Sequence, residues 1–307
     1  MQLCSNIIMG HKDKLDVLAK RKFDVIVVDD QLNPCGLLVT SLSKAVFVYW
    51  SQTLMRPESA WAHQSPFPPS YVPVPGTRLT DEMSFIERTI NLFAYLQSLF
   101  IHQQIMQPRI DKTFQRSYSS LPKSFDMERN ASLNFINTPP IFDFPRPHMP
   151  RVVFVGCIQC RVAADLPMEL TTFLDKRKFM VISFGAEQAS DKIISQLVDA
   201  MASRPSIKFV LQFTTPADLP SNVFVSHVPL QDLLGHSDCI GHVSHGGLNS
   251  VVESVWHGVP VIGLPDQHLS HDNLLRLSAR GAAVLVETKE LSLHRLIEAI
   301  DVIQHAR

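Results

Sequence analysis

The sequence predicts an α/β protein of two doubly wound domains, and three observations predict it. From about residue 165 onward, apolar runs of strand length alternate with amphipathic runs of helix length, as in a parallel sheet covered by helices on both faces. The runs 23–28, interrupted only by Asp24, and 45–50 are apolar and rich in β-branched residues, as strands buried on both faces are. The 307 residues suit two cores better than one.

Taken in order, residues 11–22 are polar and read as a helix, and the strand 23–28 ends in Asp29-Asp30. A second strand covers 45–50. Residues 56–80 are proline-rich without periodicity and read as a long loop. Met83, Ile86, Ile90, Phe93, Leu96, Leu99 and Phe100 recur near helical spacing, so 81–104 reads as one long amphipathic helix. A second proline-rich stretch, 138–150, precedes a strand at 152–156. The second half then gives strands near 179–184, 207–213, 222–226, 239–244, 259–263 and 282–286. Helices fall near 167–176, 190–203, 248–257, 271–280 and 291–304. The change of texture places the domain boundary between 157 and 168, for domains of 1–160 and 161–307.

Composition excludes some functions. The formal net charge is −1 and no basic block exists, which argues against nucleic acid and anionic membrane as partners. No run approaches the ~18–20 apolar residues of a membrane span, and Met1 to Met9 lacks the features of a leader. The five cysteines, Cys4, Cys35, Cys157, Cys160 and Cys239, form an odd, scattered set rather than a disulfide framework. Cys157 and Cys160 read as two thiols at a strand end. Seven of the 13 histidines fall between 227 and 271, but no carboxylate completes a ligand set with His242 and His245, so no metal is expected.

The chemistry concentrates at 241–286. An apolar strand enters Ser244-His245-Gly246-Gly247, and a helix opens at once with Leu248-Asn249-Ser250. A strand, a glycine turn and a helix N-terminus make an anion site, because backbone N–H groups and the helix dipole point the same way. His245 adds a donor. Glu253 lies four residues after Asn249, on the same helical face, where a carboxylate can accept from a ribose diol. The segment reads as a nucleoside-diphosphate site.

His-Gly-Gly-x-Asn-Ser-x-x-Glu at 245–253, His-Gly-Val-Pro-Val-Ile-Gly-x-Pro at 257–265, Asp272-Asn273 and Arg-Gly-Ala-Ala-Val at 280–284 resemble the signature of animal UDP-glucuronosyltransferases and related UDP-glycosyltransferases. The segments 23–36, 65–92, 141–160 and 229–236 resemble further parts of that family, in its order. The resemblance implies two Rossmann-like domains facing across a cleft (GT-B type), here with an incomplete amino-terminal domain. It implies inverting transfer of a sugar from a UDP-sugar to a hydroxyl of a small lipophilic acceptor, without a metal or other cofactor. UDP-sugar contacts then fall on Ala186, His227, His245, Gly247, Asn249, Ser250 and Glu253, and the orienting aspartate on Asp29, with Asp30 left open by one extra residue.

Several positions depart from the family pattern. Ala186 replaces a serine. His227 stands for a tryptophan that stacks on uracil, and Leu230 for a glutamine that Gln231 can replace only by a shift. Leu269 and Ser270 occupy the strict register of the sugar-binding Asp-Gln pair, while Asp266-Gln267 lies three residues early. The family's general-base histidine belongs far upstream of its aspartate, and His11, 18 positions before Asp29, lacks its context. General-base catalysis is worth ~10²–10⁴-fold, so an impaired or inactive member that binds UDP weakly, or associates with itself or with full-length relatives, is the alternative. The family is lumenal in the endoplasmic-reticulum membrane, with a cleaved leader and a carboxyl-terminal membrane helix. Neither is visible here, so the chain reads as a fragment from the middle and second half, and its own location stays unassigned.

Overall fold

The computed structural model describes residues 2–31, 33–185, 190–215, 218–265 and 268–305. Contacts divide the chain into two units, Met1–Gly156 and Cys157–Arg307.

In unit 1, helices α1 (Gln2–Gly10) and α2 (Lys12–Lys20) precede strand β1 (Val25–Asp29), helix α3 (Pro34–Ser43) and strand β2 (Val46–Ser51). Then come α4 (Pro57–Ala62), α5 (Phe85–Phe100), α6 (Gln107–Gln115), α7 (Ser124–Arg129), β3 (Leu133–Ile136) and β4 (Val152–Phe154). The four strands form one parallel sheet in sequence order. Val28, Leu37, Leu38, Phe47 and Tyr49 pack with Ile8, Leu15 and Phe114 into its core. Each such side chain contributes roughly 1.5–3 kcal/mol by leaving water. β1 is an edge strand, and its Val25 and Val27 are 54% and 64% exposed.

Several sequence expectations need correction here. The loop 56–80 contains α4, which opens on Pro57, a residue preset for a first helical turn. Its remainder is irregular but pinned: the buried Asn91 side chain of α5 accepts from Val74 N–H at 2.8 Å and donates to the carbonyls of Pro69 and Val72. The helix expected over 81–104 starts later, at a capping box of Ser84 and Glu87. It passes into a wider π turn at Ile101–Met106, ending where Pro108 removes an N–H from the ladder. The apolar stripe of α5 does not form a buried core face, since Ile86, Ile90, Phe93, Leu96 and Phe100 are exposed.

The cysteine reading is also overturned. Cys4 is joined to Cys35 and Cys157 to Cys160 by disulfides, with Cα atoms 5.5 and 5.2 Å apart, while Cys239 is buried outside both. Packing of α1 against the start of α3 brings Cys4 to Cys35, and a turn closed by Cys160 N–H on the Cys157 carbonyl brings the second pair together. Neither approach is visible in an odd cysteine count.

Unit 2 runs α8 (Met168–Leu174), β5 (Phe179–Ser183), α9 (Asp191–Ala202), β6 (Lys208–Leu211), β7 (Val223–Val225), α10 (Leu230–Leu234) and β8 (Cys239–Ser244). It continues through α11 (Leu248–Trp256), β9 (Val261–Gly263), α12 (His268–Ser278), β10 (Ala283–Leu285) and α13 (Leu293–His305). The sheet is parallel throughout, in the order β10-β9-β8-β5-β6-β7. Successive residues of β5 serve opposite cores. Met180 and Ile182 pack with α9 and α13, and Phe179 and Val181 with α8 and α10. This two-sided burial is why β5 is continuously apolar up to Ser183.

Candidate functional site

The strand order of unit 2 marks a candidate ligand position. The chain moves outward from β5 to β6 and β7, then returns to the other side of β5 as β8. The crevice at the carboxyl ends of β5 and β8 is therefore the topological switch point, the usual ligand position in such sheets. Ser183 and Ser244 are paired in register there, and each strand runs into a glycine loop.

The β8 loop is set by close packing. Gly246 has φ +96, and a Cβ on it would lie 2.5 Å from the Ser270 carbonyl oxygen. Asn273 of α12 donates to the Gly246 carbonyl at 3.0 Å, and Gly246 N–H donates to Ser244 Oγ. Gly247 is the N-cap of α11 and offers no side-chain acceptor. The N–H groups of that first turn thus stay open to an anion. The His245 ring lies against both glycine loops, since a Cβ on Gly247 would meet its Nε2 at 2.7 Å and one on Gly185 its Cε1 at 3.3 Å. His245 Nδ1 is buried with no partner among the described residues. Ser250 Oγ donates to the Gly247 carbonyl at 2.9 Å and lies 3.2 Å from Ser244 Oγ.

Beneath the loop lies a buried relay that sequence reasoning passed over. His242, on β8, is fully buried, with Ser183 Oγ 2.8 Å from its Nε2 and Ser254 Oγ 2.7 Å from its Nδ1. Ser254 donates to the Ser250 carbonyl. His242 Nδ1–H therefore donates to Ser254, and Ser183 donates to Nε2. Burial, reinforced by His245, lowers the His242 pKa to about 3, so the ring is neutral. It ties the end of β5 to α11 without carrying charge.

Glu253 is buried two turns into α11, while Asn249 is exposed. Burial raises the Glu253 pKa, and a hydrogen bond from Gln159 opposes that. Gln231 Nε2 lies 3.4 Å from Glu253 Oε1 and donates to the Gln159 carbonyl at 3.0 Å. Gln231 Oε1 accepts from Arg161 N–H at 2.8 Å. Gln231 thus holds the 157–161 segment against the carboxylate. Asp232 completes the strap by accepting from Arg161 and from Ala164 N–H, and the Arg161 hydrogen bond lowers its pKa.

The remaining expected positions divide. His227 is exposed, Leu230 opens α10, and Ser270 is buried with its carbonyl against Gly246. Leu269 belongs to α12. Ala186, Asp266 and Gln267 lie outside the described residues.

In unit 1, Asp29 is exposed and its Oδ1 accepts from Gln31 N–H at 2.8 Å. Asp30 accepts from Ser51 and lies 3.4 Å from Arg56, whose guanidinium also donates to the Asp30 carbonyl. Burial raises the Asp30 pKa and Arg56 opposes it. Both aspartates line a cavity of about 660 Å³ between the ends of β1 and β2 and helices α3 to α6. His63, His102, Arg56, Glu58 and Glu128 share it. No sequence signal marked them, because they come from three separate stretches of chain.

Comparison with known proteins places this geometry. A family model described as UDP-glucoronosyl and UDP-glucosyl transferase matches residues 1–306. The chain is 33% identical to 2-hydroxyacylsphingosine 1-beta-galactosyltransferase of Rattus norvegicus, over 96% of this chain and 55% of that protein. It is 32% identical to UDP-glucuronosyltransferase 2B15 of Homo sapiens, over 97% and 58%. The chain thus spans a little over half the length of these relatives. Among solved structures, spinosyn forosaminyltransferase SpnP aligns with a TM-score of 0.69 at 15% identity, covering 100% of this chain and 76% of that one. LpCGTa in complex with UDP aligns with a TM-score of 0.62 at 15% identity, covering 99% and 72%. The structural likeness confirms the expected glycosyltransferase fold of GT-B type. Among the described residues, no helix is long and apolar enough to cross a membrane. By the family match over nearly its whole length, the chain belongs to the UDP-glucuronosyl and UDP-glucosyl transferase family.

Proposed function

We propose that residues 157–307 bind the UDP of a UDP-sugar, and that the sugar passes with inversion to a hydroxyl of a small lipophilic acceptor held in the unit 1 cavity. The observation that carries this reading is the uncapped N-terminus of α11 at the topological switch point, beside the buried Glu253 carboxylate. The diphosphate meets the N–H groups of the first turn, with His245 beside them. Glu253 accepts from the ribose hydroxyls, and Asn249 and Ser250 flank it. Uracil stacks on His227, and sugar recognition is assigned to Asp266 and Gln267, or to Leu269 and Ser270. In the transfer, an acceptor oxygen bonds to the anomeric carbon as the bond to UDP breaks, and the hydroxyl proton leaves to a base. Asp29, with Asp30 as the alternative, orients that base.

A second reading, UDP binding without turnover, is favoured by one observation. Among the described residues neither aspartate is hydrogen-bonded to a histidine: Asp29 accepts from Gln31, and Asp30 from Ser51 and Arg56. Two measurements on one sample separate the readings. Stabilisation against heat by UDP supports both, and release of UDP from UDP-glucose or UDP-glucuronate in the presence of a lipophilic phenol supports only the first. A folded chain that UDP does not stabilise contradicts both. Association of the chain with itself or with longer relatives is part of the proposal, through the open edge of β1.

A further inference from the structure

The unit 1 cavity carries more information than its position. Its walls include Leu37, Val74, Ala94, Ile101, Met106 and Ile110, and its volume of about 660 Å³ fits a drug-sized molecule. Its polar lining is one-sided. Asp29, Asp30, Glu58 and Glu128 face a single guanidinium, Arg56. Counting His102, which lies 3.3 Å from Glu128, as a second cation still leaves carboxylates in a two-to-one majority.

The cation is already engaged. Arg56 lies 3.4 Å from both Asp30 and Glu58 and donates to the Asp30 carbonyl at 3.1 Å. The Thr77 and Ser98 hydroxyls that line the cavity donate inside the protein, to the Val74 carbonyl and to Glu58. Three lining residues hold buried polar atoms with no hydrogen-bond partner among the described residues: the acceptors Asp30 Oδ1 and His63 Nε2, and the donor Arg56 Nε, which is ion-paired at 3.4 Å with the Glu58 carboxylate. His63 Nδ1 lies 2.8 Å from the Ser59 carbonyl and must donate to it. In the neutral ring, Nε2 is then a lone-pair acceptor. Buried acceptors without donors cost free energy that a donating ligand recovers.

We propose that this cavity selects a lipophilic molecule whose polar end donates hydrogen bonds, binds it most tightly when that end is a protonated amine, and rejects a carboxylate of the same shape. The inference rests on the assignment of the cavity to the acceptor and names the chemistry of the acceptor's polar end, a group separate from the reacting hydroxyl because an ammonium has no lone pair with which to attack the anomeric carbon. Each carboxylate on the wall attracts an ammonium and repels a carboxylate by Coulomb terms of similar size and opposite sign.

The test is calorimetric titration of the intact chain at neutral pH with octylamine, 1-octanol and octanoate, with UDP titrated in parallel. Octylamine is expected to bind at least about tenfold more tightly than octanoate, with octanol between them. Glu58→Gln and Glu128→Gln, whose side chains are partly exposed, should each narrow the amine-to-carboxylate ratio while leaving octanol affinity unchanged. Octanoate binding as well as octylamine overturns the proposal. So does a ratio unmoved in variants whose circular dichroism matches the parent. If UDP binds and none of the three probes does, the proposal and the acceptor role of the cavity both fail, and the donor site stands.

Discussion

The two candidate sites of this chain are built in opposite ways. The proposed donor site of unit 2 draws its central residues, from Ser244 to Glu253, from one strand, one turn and one helix. They are locked from below by His242 and from the side by Asn273. The cavity of unit 1 draws its polar residues from positions between 29 and 128, carried on loops and helix ends beside an edge strand. A site made by one local motif is rigid and continuous in sequence. A site made by assembled loops owes its specificity to the balance of charges that happen to meet.

The comparison breaks first at Gly246. Gly246→Ala forces a left-handed φ on a side chain and drives its Cβ into the Ser270 carbonyl, a cost on the order of 3 kcal/mol. Urea unfolding should show that loss together with loss of UDP binding. Wild-type stability in Gly246→Ala would mean the loop is far looser than described.

A smaller effect is expected at His242, and its pH dependence sharpens the point. Burial lowers the folded pKa from 6.5 to about 3, so the unfolded chain takes up this proton first. The contribution of His242 to stability is complete above about pH 6.5 and is lost as pH falls toward 3. His242→Gln keeps a donor and an acceptor but does not titrate. It should lose ~1–2 kcal/mol at neutral pH and show a shallower fall in urea stability between pH 6.5 and 4. A slope equal to that of the parent would remove His242 from the account.

Gln231→Ala releases the 157–161 segment and one contact of Glu253. A loss of about 1 kcal/mol is expected, with faster hydrogen exchange in 157–164 than in α11. Uniform exchange in both would show that the strap is not held by this side chain. The smallest effect on folding belongs to Val27→Lys, on the exposed face of β1. It should leave stability within about 0.5 kcal/mol and reduce self-association seen by light scattering. A parent that is monomeric throughout would refute the association.

Legibility in the sequence follows the same division. The parallel sheet of unit 2 was readable because β5 and β8 are buried on both faces and so carry few polar residues, His242 being the exception inside β8. The proposed phosphate cradle was readable because a strand, a glycine turn and a helix occupy consecutive residues. His242 was visible as a residue but not as a link, since its partners Ser183 and Ser254 lie on other elements. Gln231 offered no hint that Arg161 and Gln159 would occupy its amide. In unit 1, β3 was missed because Leu133–Ile136 is too short to show a period, and α3 because its apolar residues follow no clear stripe. The disulfides and the cavity depend on approaches between distant segments, which residue spacing does not encode.

The most direct measurement is calorimetric titration of the intact chain with UDP, repeated with His245→Ala and Glu253→Ala. The account predicts binding of one UDP per chain in the micromolar range, weakened at least about tenfold in each variant, as expected for loss of a charge-assisted or buried hydrogen bond. No binding at millimolar UDP from a folded sample, or equal binding in parent and both variants, would contradict it.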